Sequence, residues 1–166
     1  MNWDAISAIA DVIGVIVIMI TLIYIAAQVR QGNIFSKIQA RQSMLDHAHT
    51  EIYTQMHNPS ITYANVKDGY LSEKEQAQLS FFLTSFMRQR EWEWFNYQDG
   101  VIQNDVYEAY HGAIAIHLGT ERARKGWEKI GRFAFNPDFV SEVDKLLLKT
   151  ELSTYLKDIR DWDDDA

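Results

Sequence analysis

The chain opens on a long, predominantly apolar run, Ala5–Ala27 (AISAIADVIGVIVIMITLIYIAA), and afterwards alternates apolar and polar positions at helical spacing. The run has 23 residues. At about 1.5 Å per residue, a helix of that length covers roughly 34 Å, against a hydrocarbon core of about 30 Å. It holds no Lys or Arg, and its ionisable groups are Asp11 and the Tyr24 phenol. A cleaved signal peptide would need a basic leader, and MNWD has none. A core helix of a water-soluble domain would show a face of long charged side chains, and this run does not. The run therefore predicts a transmembrane helix that, with its flanks, takes up residues 1–31.

The polar residues of this helix fall in one line. Asp4, Ser7, Asp11, Gly14, Ile18, Thr21, Ile25 and Gln28 follow spacings of three and four in strict alternation, which makes a heptad seam. Every Ser, Thr, Asp, Gln and Gly from Asp4 to Gln28 lies on it. A carboxylate near the centre of a spanning helix costs roughly 2.5–3.5 kcal/mol, less toward an end. Asp11 stands about 9 Å inside the run, so it is expected to face protein or water. Small and polar residues mediate helix packing in lipid, and the simplest partner is another copy of the same helix. A homo-oligomer follows, in one of two forms. In a narrow bundle the seam is dry and Asp11 is protonated or hydrogen-bonded. In a wider bundle Asp4, Ser7, Asp11 and Gly14 line a vestibule whose carboxylates favour cations, and Ile18 and Ile25 form rings that gate by dewetting. A third arrangement docks the stripe on a different membrane protein.

Flanking charge sets the orientation. Arg30, Lys37 and Arg41 follow the run, whereas only Asp4 precedes it. Basic residues stay on the cytoplasmic side, which puts the N-terminus outside and the remaining chain in the cytoplasm of a bacterium, at its inner membrane. Trp3 and Tyr24 suit the two headgroup regions. The absence of cysteine fits a cytoplasmic domain.

Past Gln28 the pattern predicts an all-α domain over residues 32–157, with an acidic tail over 158–166. Gly32-Asn33 is a weak point for a helix, which either breaks there or continues with a rotated face. Ile34, Ile38, Arg41, Leu45, Ala48, Ile52 and Met56 form the next stripe, expected to face the domain, and Asn58-Pro59 ends it. A short helix follows through Ile61, Ala64 and Val66 to Gly69. Ser72 and Glu75 make a capping box for a helix running to about Gln98, with Leu79, Phe82, Leu83, Phe86, Arg90, Glu93 and Tyr97 on one side. Its run MRQREWEWFNY places Arg90, Glu93 and Trp94 at the domain core, where the charges need partners. Asn104 is expected to cap a helix to about Leu118. Thr120 starts another, carrying Trp127 and Ile130. Asn136-Pro137 opens the last, with Phe139, Val140, Val143, Leu146 and Leu147 inward.

Composition adds little to this pattern. The formal charge is −7, of which Asp4 and Asp11 carry two, so the domain is mildly acidic and nucleic acid is not an expected partner. Aromatic residues make up 13% of the chain, enough to bury a large area in one domain. No enzyme chemistry emerges: there is no cysteine nucleophile, no Ser-His-Asp arrangement and no glycine-rich phosphate loop. Glu108 and His111 are three apart on one helix, and His47 and Glu51 four apart on another. Di-iron bundles need two such pairs plus two more Glu, so no metal or cofactor is expected.

The opening MNWDAISAIADVIGVIVIMITLIYIAAQVRQ resembles a widespread family of short bacterial membrane-anchored proteins. They begin MNW, continue with an apolar span carrying an acidic residue, and leave it through Q-x-R-Q. The stretches LSEKEQAQLSFFL, EWEWFNYQDG and FNPDFVSEVD extend the likeness over most of the chain. The resemblance implies an anchor followed by a helical domain, with Asp11 at the acidic position, and it carries no activity. The expectation is a self-associating inner-membrane protein with a cation path in its wider form. The alternative is a membrane-tethered module that binds another protein through its helical domain.

Overall fold

The structure is a computed structural model that describes residues 3–129 and 131–152. Ile130 and the expected acidic tail therefore lie outside the described residues. Among those described the fold is all-α, without a strand. α1 covers Trp3–His57, α2 Pro59–Val66, α3 Glu73–Gln98, α4 Asn104–His117 and α5 Glu121–Lys129. A 3-10 turn over Gly131–Ala134 precedes α6, Pro137–Lys149. The chain divides into two compact units, Met1–Gln39 and Ala40–Ala166.

In the first unit every described side chain is exposed. The helix does not break at Gly32. One glycine costs about 1 kcal/mol relative to alanine, which a helix of 55 residues absorbs. The Ser36 hydroxyl donates back to the Gly32 carbonyl at 3.0 Å within the unbroken turn. The apolar part of α1 is long and apolar enough to cross a membrane.

The second unit holds the core. α3 is its centre, packed against α2 and α4, and α4 in turn meets α6. Phe86, Met87, Ile114, Leu118, Phe139 and Val143 are fully buried, and Met44 joins them from α1. Local signals set the ends of these helices. The Ser72 hydroxyl accepts from the Glu75 amide while the Glu75 carboxylate accepts from the Ser72 amide, closing the box that starts α3. The Asn136 side chain accepts from the amides of Asp138 and Phe139, with Pro137 in the first turn of α6. Thr120 accepts from the Ala123 amide and starts α5.

Three expectations change. Of the expected stripe, Leu45, Ile52 and Met56 in the second unit are exposed and do not face the domain, whereas Ala48 is half-buried. Within the second unit the buried face of α1 is instead Ala40 and Met44, with Ser43, Ala48 and Glu51 half-buried. The reason is a buried cation on α3: Arg90 draws in Glu51, and the face carrying that carboxylate is not the most apolar one. Arg41, also on the stripe, reaches out to Gln103 at 2.7 Å. Asn104 is the first residue of α4 and not its cap, because its amide is held between the Tyr97 hydroxyl and Glu108, each at 2.7–2.8 Å. The 3-10 turn after α5 was outside the sequence pattern. It depends on Gly131, where a Cβ would stand 2.9 Å from the Trp127 ring.

Candidate functional site

The eight seam residues Asp4, Ser7, Asp11, Gly14, Ile18, Thr21, Ile25 and Gln28 all lie on the unbroken first part of α1, and all are exposed. Helical periodicity gathers them on one side of the rod. Thr21 donates to the Val17 carbonyl at 2.8 Å, satisfying its hydroxyl within the helix. Gln28 donates to the Tyr24 hydroxyl at 2.9 Å. A Cβ at Gly14 would meet nothing within 4 Å, so the seam has a flat spot at mid-run. The opposite side presents Ile9, Ile13, Ile16 and Ile20, also exposed.

The second unit has its own polar centre. Arg90, Glu93 and Trp94 on α3 are all buried. The Arg90 guanidinium pairs with Glu93 at 3.0 Å and with Glu51 of α1 at 3.5 Å, and donates to the Tyr110 carbonyl at 3.4 Å. It also lies over the Phe86 ring at 4.9 Å and the Tyr110 ring at 5.6 Å. Two carboxylates thus share one cation. Burial lifts the Glu93 carboxyl to about 7, against the pull of Arg90, and the Glu51 charge lifts it further. Burial raises Glu51 too, again opposed by Arg90.

A second branch, centred on the Glu142 carboxylate, continues toward α6. Trp94 donates its indole N–H to Glu142 at 2.9 Å, and the Tyr107 hydroxyl donates to the other oxygen of Glu142 at 2.8 Å. Tyr107 stacks on Tyr97 at 4.3 Å and lies 3.0 Å from His111 Nδ1. Burial and the bond to Glu142 keep the Tyr107 phenol well above its ordinary range. His111 stands 3.9 Å from Glu142, yet burial lowers its pKa. His117 stacks face to face on Phe86 at 4.1 Å. Burial and the nearby Arg90 charge lower it to about 4, so the ring is neutral.

The sequence pattern placed Arg90, Glu93 and Trp94 here but missed Glu51, Glu142 and Tyr107. Their signal is absent because each partner comes from a different helix. Glu108 bonds Asn104 and His111 turns toward Glu142, so the Glu-x-x-His spacing does not assemble with His47. Among the described residues no three His, Asp or Glu side chains converge as a metal site would need. The network pairs buried charges across α1, α3, α4 and α6, with the Arg90 Nε left without a hydrogen-bond partner. No protein-family model, curated protein or solved structure matches the chain.

Proposed function

We propose that this is a self-associating, single-pass membrane protein of the bacterial inner membrane, bundled along the polar seam of α1, with its helical domain in the cytoplasm. One observation carries the reading: every polar residue of a span-length apolar helix lies on one exposed heptad line. In lipid such a line lowers its free energy only against protein or water. In a wide bundle the Asp11 carboxylates ring a cation path that Ile18 and Ile25 constrict. The basic flank Arg30, Lys37 and Arg41 supports the cytoplasmic side for the domain. The resemblance to bacterial anchored proteins supports the architecture of an anchor followed by a helical domain.

The chain is free of cysteine, which makes the seam directly addressable. Ser7→Cys and Thr21→Cys, each alone, are expected to form disulfide-linked dimers in oxidised membranes. Ile9→Cys and Ile16→Cys, on the other side, are expected to remain without a cross-link. Equal cross-linking at all four positions would remove the seam as the contact.

A second reading has its own support. Leu45, Ile52 and Met56 of the second unit are exposed on α1, and Phe81 and Phe133 are exposed at 76% and 81%. Apolar side chains gathered on a helix face favour a protein partner. A tethered binding module is therefore the alternative, and it predicts a monomeric span with cross-links to a different protein.

A further inference from the structure

Within the second unit, α3 and α5 border a cleft of about 980 Å³, a size typical of small-molecule sites. Its apolar lining includes Leu79, Leu83, Met87, Leu118, Trp127 and Phe135. Leu79, Met87, Leu118 and Trp127 are at most 5% exposed, so the floor belongs to the packed core. The two walls differ in charge. α5 lines the cleft with Arg122, Lys125, Gly126 and Lys129. Those positions are i, i+3, i+4 and i+7, one face of a helix. α3 answers with Gln76, Ser80, Leu83, Thr84 and Met87, all uncharged.

The carboxylates that also line the cleft are Asp68, Glu73 and Glu121. Glu73 and Glu121 are the first residues of α3 and α5, next to the 67–71 loop. Arg122 is engaged at that end, donating to the carbonyls of Ala64 and Gly69. Farther along α5, Lys125 has only an exposed 3.4 Å pair with Glu121. Lys129 has no ion pair among the described residues. Lys125 and Lys129 therefore line the cleft as exposed cations, together with the uncharged part of α3 that follows Glu73. Gly126 lies between them, and a Cβ there would meet nothing within 4 Å.

We propose that this cleft binds a free long-chain fatty carboxylate, its chain along the half-buried Leu71 and Leu83 and its head group between Lys125 and Lys129. The cationic wall selects an anion, and the accessible apolar lining selects a chain over a compact polar ligand. Gly126 leaves the width that the chain occupies. This site goes beyond the membrane reading and does not require self-association.

The test uses the full chain in phosphatidylcholine nanodiscs with a diazirine-bearing palmitate, its adducts mapped by peptide mass spectrometry. Labelling is expected on α3 and α5. Gly126→Trp, which fills the cleft, is expected to cut it about tenfold, and Lys125→Gln with Lys129→Gln about fivefold. The matching diazirine hexadecanol should label these helices no better than the lysine variant labels with palmitate. Adducts confined to residues 5–27 would show bilayer partitioning alone and overturn the site. So would equal labelling by the alcohol, or labelling unchanged in both variants. Far-UV circular dichroism checks that Gly126→Trp keeps its helix. If it does not, the lysine variant decides.

Discussion

Arg90→Met is expected to destabilise the helical domain by about 3–5 kcal/mol, a large share of the roughly 5–15 kcal/mol that holds an ordinary domain together. Methionine replaces the volume of the side chain but not its charge. Glu93, 1% exposed, then loses its 3.0 Å partner, and Glu51 loses the cation that draws α1 toward α3. The cost comes from stranding two carboxylates, and it is not the net worth of the ion pair. Adding Glu93→Gln to Arg90→Met should therefore recover part of the loss, as read by thermal unfolding of the full chain in a mild detergent. A loss under about 1 kcal/mol would place the charges in contact with water and contradict the burial.

The same pair fixes the sign of a pH effect. The Glu93 carboxyl titrates near 7 in the fold, against 4.5 as its ordinary value. Between those values the folded state binds the extra proton. The contribution of this group is therefore fully present below about 4.5 and is lost as pH rises through about 7. His117, lowered to about 4 from 6.5, acts in the opposite sense, adding stability as pH rises between those values. His111, also lowered, has the same sign as His117. Subtracting the pH profile of Glu93→Gln from that of the wild type isolates the carboxyl. The difference is expected to fall with rising pH up to about 7. A difference that rises over that window would mean that Arg90 outweighs burial.

Asp11→Leu is expected to make the span easier to insert and harder to assemble. Removing a carboxylate from a transmembrane helix and adding leucine favours insertion by on the order of 2–3 kcal/mol at this depth. The substitution also removes a polar group from the middle of the exposed seam. Interhelical hydrogen bonds in lipid are worth about 0.6–2 kcal/mol each, and a symmetric bundle loses one set per subunit. Insertion is read by glycosylation mapping of the span in microsomes, and assembly by energy transfer between labelled copies. The two readouts should move in opposite directions. Asp11→Asn separates charge from polarity: it keeps assembly, and in a conducting bundle it removes the preference for cations. Unchanged cation preference in Asp11→Asn would count against a carboxylate ring.

Where the sequence told the fold, the deciding interactions are local. Ser72 and Glu75 are three residues apart, Asn136 and Pro137 are adjacent, and both helix starts follow from that spacing. The inward set of α6, Phe139, Val140, Val143 and Leu147, is likewise a single periodic stripe. Past Gly32 the pattern gave the helix but not its buried side. Hydrophobicity marks Ile38, Leu45 and Ile52, whereas the domain takes the side with Glu51, because the cation that selects it sits 39 residues away on α3. The partners of Trp94 and Tyr107 were hidden for the same reason. Glu142 reads as an ordinary polar position of a surface helix until α6 is packed. The cleft was hidden too, since the Arg122, Lys125 and Lys129 spacing alone describes a solvated basic face. It becomes a wall only when α3 brings Leu83 and Met87 opposite.

Self-association is tested most directly by the mass of the full-length protein in nanodiscs of defined lipid, counted at several protein-to-lipid ratios. A single defined oligomer that persists on dilution, and that Gly14→Leu with Thr21→Leu reduces to monomer, is the expected result. A monomer at every ratio would contradict the seam as a self-contact and leave Asp11 to be met by a different membrane protein.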